Sequence, residues 1–154
     1  MLFLLFQLGN DRYALDIRHV AEVLPLANIA SVPRMPPEVA GVLNYRGAPV
    51  PVIDLSQLAL QRPALRRLNT RIVMVHYPDE SGGTRLLGLI AERATETLRC
   101  EPEYFRASGV AGAAARHLGP VAMDTNGLVQ RTELNQLLPA SVREMLFHPP
   151  SELR

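Results

Sequence analysis

The stretch Val39-Ala-Gly-Val-Leu-Asn-Tyr-Arg-Gly-Ala-Pro-Val-Pro-Val-Ile-Asp54 has the pattern of a strand, a tight turn and a second strand. Residues 39–45 are rich in branched and aromatic side chains, which pack well on the pleated surface of a sheet. Gly47 can adopt positive φ without a Cβ clash, and Asn44 can cap the turn with its side chain. We therefore predict a β-hairpin here.

Two prolines and an arginine add detail to this hairpin. Pro49 and Pro51 stand two residues apart, so their missing N–H groups fall on the same side of the second strand. That strand is predicted to lie at a sheet edge, at a barrel seam or beside a bulge. Arg46 occupies the tip, where it is either an ordinary solvated arginine or an orienting group paired with an acid on a neighbouring strand.

Short apolar segments separated by turn residues run along most of the chain. Turn signals about every 8–12 residues are typical of an all-β fold of the barrel or sandwich class. Two hairpin-rich halves, divided at residues 61–69, predict a pair of small barrels. Short helices are predicted at 54–60 with Asp54 as cap, at 132–138 with Thr132 as cap, and at 140–147. The other predicted strands are 2–8, 13–17, 71–77, 86–90, 92–98, 117–123 and 127–131.

Composition excludes several classes of function. The 154 residues include 16 basic and 15 acidic side chains, for a net charge of +1, which argues against nucleic acid as a partner. Cys100 is the single cysteine, so no disulfide framework and no cysteine pair for a metal exists. Residues 1–6 are apolar but too few for a signal sequence or a membrane span, which favours a cytoplasmic location without direct membrane insertion.

No catalytic or metal-binding motif stands out. The four histidines lack metal-ligand spacing, and the chain contains neither a serine elbow nor a phosphate-binding loop. We interpret Cys100 as an unreactive buried thiol in preference to a nucleophile. We interpret the three arginines of the 61–69 segment as part of a solvated loop in preference to an anion-binding site; these are Arg62, Arg66 and Arg67. We therefore predict no enzymatic activity, no cofactor and no metal.

The hairpin carries a resemblance to a known family. Gly41-Val-Leu-Asn-Tyr-Arg-Gly47 followed by Val50-Pro-Val-Ile-Asp54 resembles the G-V-x-N-x-R-G…V-P-x-x-D signature of the CheW family, whose members couple bacterial chemoreceptors to a histidine kinase. The similarity is dense over residues 2–60 and thinner beyond them. It implies a fold of two small SH3-like five-stranded barrels packed together, with a few short helices. It also implies a single domain of residues 1–148, with a loop near 61–69 and a flexible tail at 149–154.

The same resemblance implies the partners and the site. The partners are the regulatory domain of a CheA-type histidine kinase, the cytoplasmic tip of a chemoreceptor coiled coil, and other CheW-like domains. Through them the protein would be associated with membrane-bound receptor arrays. The implied site comprises a partnered acid and arginine, apolar positions facing the partner, and residues that hold the turn or admit partner backbone. These are Ile17, Val20, Glu22, Gly41, Val42, Asn44, Arg46 and Gly47.

Three departures from the family pattern bear on the branch of the family. Tyr45 replaces the commoner aliphatic residue before the arginine, Ala91-Glu92 stands where Val-Asp is usual, and residues 100–115 match poorly. The chain resembles scaffolds of flagellar motility and those of dedicated pathways, such as Wsp-type surface sensing, about equally. We favour the dedicated pathway.

Two functions of other classes remain open from the residues alone. A small barrel that binds an anionic ligand, or acts on one as an enzyme, could use Arg46 to hold the anion, and it would need a polar pocket beside that residue. An oligonucleotide-binding barrel is disfavoured by the near-neutral charge and by the presence of only eight Phe and Tyr residues.

Overall fold

The computed structural model describes residues 1–79, 81–107, 109 and 119–146. The strands in these residues are β1 (Leu2–Leu8), β2 (Asp11–Asp16), β3 (Val20–Pro25), β4 (Val39–Tyr45), β5 (Ala48–Asp54), β6 (Arg71–Pro78), β7 (Thr84–Arg99), β8 (Val121–Asp124) and β9 (Gly127–Arg131). The α-helices are α1 (Leu55–Leu60) and α2 (Ala140–Leu146), and single 3-10 turns occupy Ile17–His19, Pro102–Tyr104 and Leu134–Gln136.

Strand β7 is 16 residues long and is shared by two five-stranded units. The central unit contains β3, β4, β5, β6 and residues 84–91 of β7, which pair with β6 on one side and with β5 on the other. The terminal unit contains β1, β2, β8, β9 and residues 92–99 of β7, which pair with β1. The predicted all-β fold of two five-stranded units is confirmed.

The predicted division of the chain at residues 61–69 is wrong as a boundary between the two units. The strands on either side of this segment, β5 and β6, both pair with the first half of β7 and so belong to the central unit. The two units meet along β7, which we had predicted as two separate strands. Arg93 has a φ of 53° at that point, so the strand bends through an irregularity and continues without ending.

Alternation of side chains explains why so many strands are apolar on both faces. In β1, Phe3 and Leu5 pack inside the terminal unit, whereas Leu4 and Phe6 pack in a shared core built by residues of both units. Strand β6 alternates in the same way between the interior of the central unit and the shared core. Because successive residues of a strand face opposite sides, such double burial requires the nearly continuous hydrophobic runs seen in the sequence.

The two prolines of the hairpin lie where the absence of their N–H groups removes no hydrogen bond to β7. Residues 48–51 of β5 pair with β4 alone, and pairing with β7 begins at Val52, after Pro51. The predicted edge position of this segment is confirmed.

The predicted helix at 132–138 is shorter in the structure. Only the 3-10 turn Leu134–Gln136 forms, and the Thr132 N–H donates to Ala14 O at 2.9 Å, so this threonine continues the sheet and caps nothing. The helix predicted at 140–147 is present as α2. The start of the strand predicted at 117–123, part of 100–115 and the tail predicted at 149–154 lie outside the described residues. Within the part of the chain that the structure describes, no helix has the length and apolar character that a membrane crossing requires.

Candidate functional site

The turn between β4 and β5 fixes Arg46 at the end of a stiff hairpin. Arg46 and Gly47 are its two central residues, with φ of 54° and 86°, and two positive φ values are the signature of a type I′ turn. The Gly47 N–H donates to Asn44 Oδ1 at 2.9 Å, so Asn44 caps the turn as predicted. A non-glycine residue in the left-handed region costs roughly 1 kcal/mol. Arg46 is therefore held in a backbone conformation that the turn imposes.

Three side chains converge beside this turn. Arg46 Nη2 donates to Glu22 Oε1 at 3.0 Å, and the Tyr45 hydroxyl donates to the same oxygen at 2.6 Å. The guanidinium carbon of Arg46 also lies 5.1 Å from the centroid of the Tyr45 ring, within reach of a cation–π contact. The hydrogen bond to Glu22 is the main reason that the pKa of Tyr45 is raised above its ordinary value. We call Glu22, Tyr45 and Arg46 the acid–arginine cluster.

The acid–arginine cluster connects two strands of the central unit that form no ladder with each other in the described residues. Glu22 lies on β3, whose ladder partner is β6, and Tyr45 lies on β4, whose ladder partner is β5. The side-chain bonds of the cluster therefore cross the seam between these strands. The family resemblance implied a role for Glu22 and Arg46 but none for Tyr45. The available signal was its departure from the usual aliphatic residue, since a buried or half-buried tyrosine hydroxyl needs a partner.

The two charged side chains of the cluster differ in their exposure to solvent. The Glu22 side chain is 35% exposed, whereas the Arg46 side chain is 75% exposed. Only Nη2 of Arg46 is bonded to Glu22, so the remaining donors of the guanidinium fork are directed to solvent in the described structure. Such a group can meet a carboxylate or a carbonyl oxygen of another molecule.

Gly41 is required by a close approach of backbone within this chain. Its φ is 145°, and a Cβ atom there would lie 2.1 Å from Ala30 O. The neighbouring Val42 exchanges two backbone hydrogen bonds with Ala30, at 2.9 and 3.0 Å, which hold the two segments together. An internal contact thus explains this glycine, and its role toward a partner backbone stays a prediction.

Ile17 and Val20, the two apolar site positions that precede Glu22 in the chain, lie on a different face from the acid–arginine cluster. Val20 pairs with Val75 of the shared core, while Glu22 pairs with Met74 of the central unit, and a register shift separates the two pairs. Ile17 and Val20 are half-buried and pack against the shared core. The structure therefore brings Glu22 and Arg46 together, and it places Ile17 and Val20 near the junction of the two units.

Nothing in the described residues resembles a catalytic or metal centre. No group of three or more His, Cys, Asp or Glu side chains is arranged to hold a metal ion in that part of the chain. Burial raises the pKa of the Cys100 thiol, which is the opposite of what a nucleophilic thiolate requires. Two cavities, of about 20 and 100 Å³, are lined by neither Glu22 nor Arg46, so they give no support to an anion pocket at the turn.

A family model described as "CheW-like domain" matches residues 2–141. A chemotaxis protein CheW of Klebsiella aerogenes is 30% identical over 104 residues, covering 68% of this chain and 60% of the relative. One of Treponema pallidum is 36% identical over 131 residues, covering 80% and 74% respectively. One of Helicobacter pylori is 29% identical over 97 residues, covering 63% of this chain and 56% of the relative.

A solved structure has the same fold. The crystal structure of the scaffolding protein TtCheW from Thermoanaerobacter tengcongensis superposes with a TM-score of 0.79 and 24% sequence identity, covering 96% of this chain and 93% of that chain. The fold predicted from the resemblance, two SH3-like barrels packed together, is confirmed by this match.

Proposed function

Because the chain belongs to the CheW-like family, we propose that it is a non-catalytic adaptor that couples a chemoreceptor to a CheA-type histidine kinase. The observation that carries the proposal is the acid–arginine cluster, an exposed arginine held by a strained turn and anchored to Glu22. Preorganised groups of this kind bind partners well because little conformational freedom is lost on association.

The surroundings of the cluster fit a protein partner. Val23, on β3, is 37% exposed, and Val32, in the connection between β3 and β4, is 40% exposed. Val42, on β4, is half-buried. Interfaces between proteins commonly combine exposed apolar side chains with an arginine anchor and a polar rim. We take Ile17, Val20, Gly41, Val42, Asn44 and Gly47, together with Glu22 and Arg46, as the residues of the partner-binding surface.

The finer assignments are part of the same proposal. The partners are the regulatory domain of the kinase, the cytoplasmic tip of the receptor coiled coil and other CheW-like domains, and the protein acts in the cytoplasm at receptor arrays. Within the family, we favour a dedicated pathway such as Wsp-type surface sensing. The supporting feature is Tyr45, since it adds a third member to an acid–arginine pair that the family pattern leaves with an aliphatic neighbour.

Calorimetric titration with the regulatory domain of a CheA-type histidine kinase from the same organism tests the proposal. We expect Arg46→Glu to lower the affinity by about tenfold or more, because the reversed charge would face Glu22 and lose the contact to the partner. Arg85→Glu is the matched control, since Arg85 is also exposed and lies 3.7 Å from an acid, Asp79, in a different turn. Both variants are expected to keep the thermal stability of the parent.

Two results would contradict the proposal. One is the absence of binding between the folded parent protein and either the regulatory domain or a receptor signalling fragment. The other is parental affinity in the Arg46→Glu variant, which would leave the adaptor function without its proposed site.

A further inference from the structure

The segment between α1 and β6 exposes apolar side chains to an unusual degree. We call residues 61–70 the basic loop. Leu68 is 94% exposed and Leu65 is 43% exposed, although the neighbouring Ala64 and Thr70 are buried. Exposed large apolar side chains that lie close together mark interaction sites more often than isolated ones do.

The exposure of Leu68 is imposed by a well-bonded backbone. The Ala64 N–H donates to the buried Asp54 Oδ2 at 3.0 Å, which attaches the loop to the end of β5. Thr70 closes the other side, since its hydroxyl donates to Leu65 O and its N–H donates to Arg67 O at 3.1 Å. The Arg71 guanidinium donates to Leu68 O, directly at the exposed leucine. The loop therefore presents Leu68 in a fixed geometry.

The charged residues that surround Leu68 in sequence are all basic. Residues 55–78 contain four arginines and no aspartate or glutamate. Arg62 lies 3.6 Å from Glu92, but Arg66 and Arg67, which immediately precede Leu68, form no ion pair within the described part of the chain. The Ala94 N–H donates to Asn69 O at 3.1 Å, which brings the exposed Arg93 close to the same loop.

We propose that the basic loop is a second docking surface, which binds an acidic segment of a protein partner that also carries apolar side chains. The guanidinium groups of Arg66, Arg67 and Arg93 would receive carboxylates, for which their planar fork is well suited. Leu65 and Leu68 would contact the apolar side chains between those carboxylates.

Protein is the occupant that these side chains favour over other polyanions. Single-stranded nucleic acid is bound by stacking on aromatic side chains, and residues 55–76 contain no Phe, Tyr or Trp. Proteins that lie on membranes usually do so through an amphipathic helix with Trp, Phe or Leu on its apolar face. The basic loop has neither a helix nor an aromatic residue.

This surface is separate from the acid–arginine cluster. The turn that carries Arg46 adjoins Ala48, the first residue of β5, whereas the basic loop is bonded to Asp54, the last residue of the same strand. Six residue steps in a strand span about 20 Å. One partner can therefore occupy each surface, and the proposal does not depend on the adaptor function.

Titration of the full ¹⁵N-labelled chain with two synthetic peptides tests the proposal. The acidic probe has leucine and glutamate at helical spacing, and its neutral counterpart has glutamine in place of every glutamate. We expect saturable binding of the acidic probe, with the largest amide shifts at residues 65–68 and at Arg93. The neutral peptide should bind about tenfold more weakly, and added salt should lower the affinity of the chain for the acidic probe.

Variants locate the effect. The double variant Arg66→Glu/Arg67→Glu should lower the affinity for the acidic probe by about tenfold or more, and Leu68→Ser by a smaller factor. Arg99→Glu, an exposed arginine on β7, is the matched control and should bind like the parent.

Four outcomes would overturn the proposal. These are the absence of saturable binding, equal binding of both peptides, amide shifts that map away from the basic loop, and tighter binding to vesicles containing phosphatidylglycerol than to the acidic probe.

Discussion

The Tyr45 hydroxyl and the Glu22 carboxylate form a 2.6 Å hydrogen bond, shorter than the 3.0 Å contact that Arg46 makes with the same oxygen. Glu22 is thus oriented by a neutral donor as well as by the cation. Because Tyr45 lies on β4 and Glu22 on β3, this bond also links the two strands across the seam of the central unit. Tyr45 therefore positions the acid to which the exposed arginine is anchored.

Replacement of Tyr45 tests this positioning role. Tyr45→Phe keeps the ring beside Arg46 but removes the donor to Glu22, so we expect the affinity for the kinase regulatory domain to fall by roughly threefold to tenfold. Tyr45→Leu removes both the ring and the donor and should bind more weakly than Tyr45→Phe. Calorimetric titration of both variants measures the difference. Equal affinity of Tyr45→Phe and the parent would show that the hydroxyl does not support the cluster.

Substitution of Gly41 should destabilise the fold. Gly41→Ala would bring a Cβ atom to 2.1 Å from Ala30 O, in a backbone conformation that L residues rarely adopt. We expect the free energy of unfolding to fall by about 3 kcal/mol or more. Gly82→Ala is the control, because Gly82 also has positive φ but a Cβ there meets nothing within 4 Å. Its cost should be about 1 kcal/mol. Urea unfolding of both variants gives the comparison, and similar losses would remove the steric explanation.

Asp54, the last residue of the signature, should prove to be structural. Its buried carboxylate accepts from the N–H groups of Ser56, Gln57 and Ala64, at 3.0, 3.3 and 3.0 Å. Asp54→Ala leaves these donors without an acceptor, so the free energy of unfolding should fall by about 2–3 kcal/mol. Asp54→Asn keeps one oxygen acceptor and should lose less. Chemical denaturation of both variants measures the two losses. An equal loss of unfolding free energy in Asp54→Asn and Asp54→Ala would contradict the prediction.

The Arg12–Asp124 pair predicts a pH dependence of stability. Arg12 donates two hydrogen bonds to the Asp124 carboxylate, at 2.7 and 2.8 Å, and they hold the pKa of Asp124 below its usual value. The stabilisation is therefore complete above the unfolded-state pKa of about 4 and is lost as the pH falls through the lowered folded-state pKa. Asp124→Asn should lower the free energy of unfolding by about 1 kcal/mol at neutral pH, since the pair is partly screened by solvent.

Denaturant unfolding at a series of pH values measures this effect. The difference between the parent and Asp124→Asn should shrink as the pH falls below about 4. Arg12→Gln should show the same dependence, and the double variant should add little to either single change. A difference that stays constant from neutral to acid pH would mean that the ion pair is not its source.

Local signals in the sequence predicted local structure well. The hairpin of β4 and β5, the Asp54 cap of α1 and the hairpin of β8 and β9 are all confirmed, because each depends on residues that are close in sequence. The spacing of strands and turns predicted a pair of small barrels, and the resemblance of residues 41–54 to a family signature implied that these barrels are SH3-like. The Glu22–Arg46 contact was implied by the same resemblance, since no local pattern joins a residue of β3 to the turn between β4 and β5.

The failures all concern contacts between distant residues. Strand β7 was divided in two at Ala91-Glu92, because nothing in the local sequence shows that an irregular strand continues when each half has a different partner. Thr132 was predicted to cap a helix, whereas its N–H donates a hydrogen bond to Ala14 O, more than one hundred residues away in sequence. The bond from Tyr45 to Glu22 was missed for the same reason.

The sharing of β7 has a consequence for synthesis on the ribosome. The central unit uses one uninterrupted stretch, residues 20–91, and can close as soon as that stretch has emerged. Strands β1 and β2 are made before the central unit, yet they cannot complete their sheet until Arg99 has paired with Leu2 and β9 has been added beside β2. An isolated two-stranded hairpin is marginally stable in water. The apolar side chains of Leu2–Leu8 therefore stay uncovered until residues 92–99 and 127–131 have been synthesised, and during that interval they are exposed to aggregation.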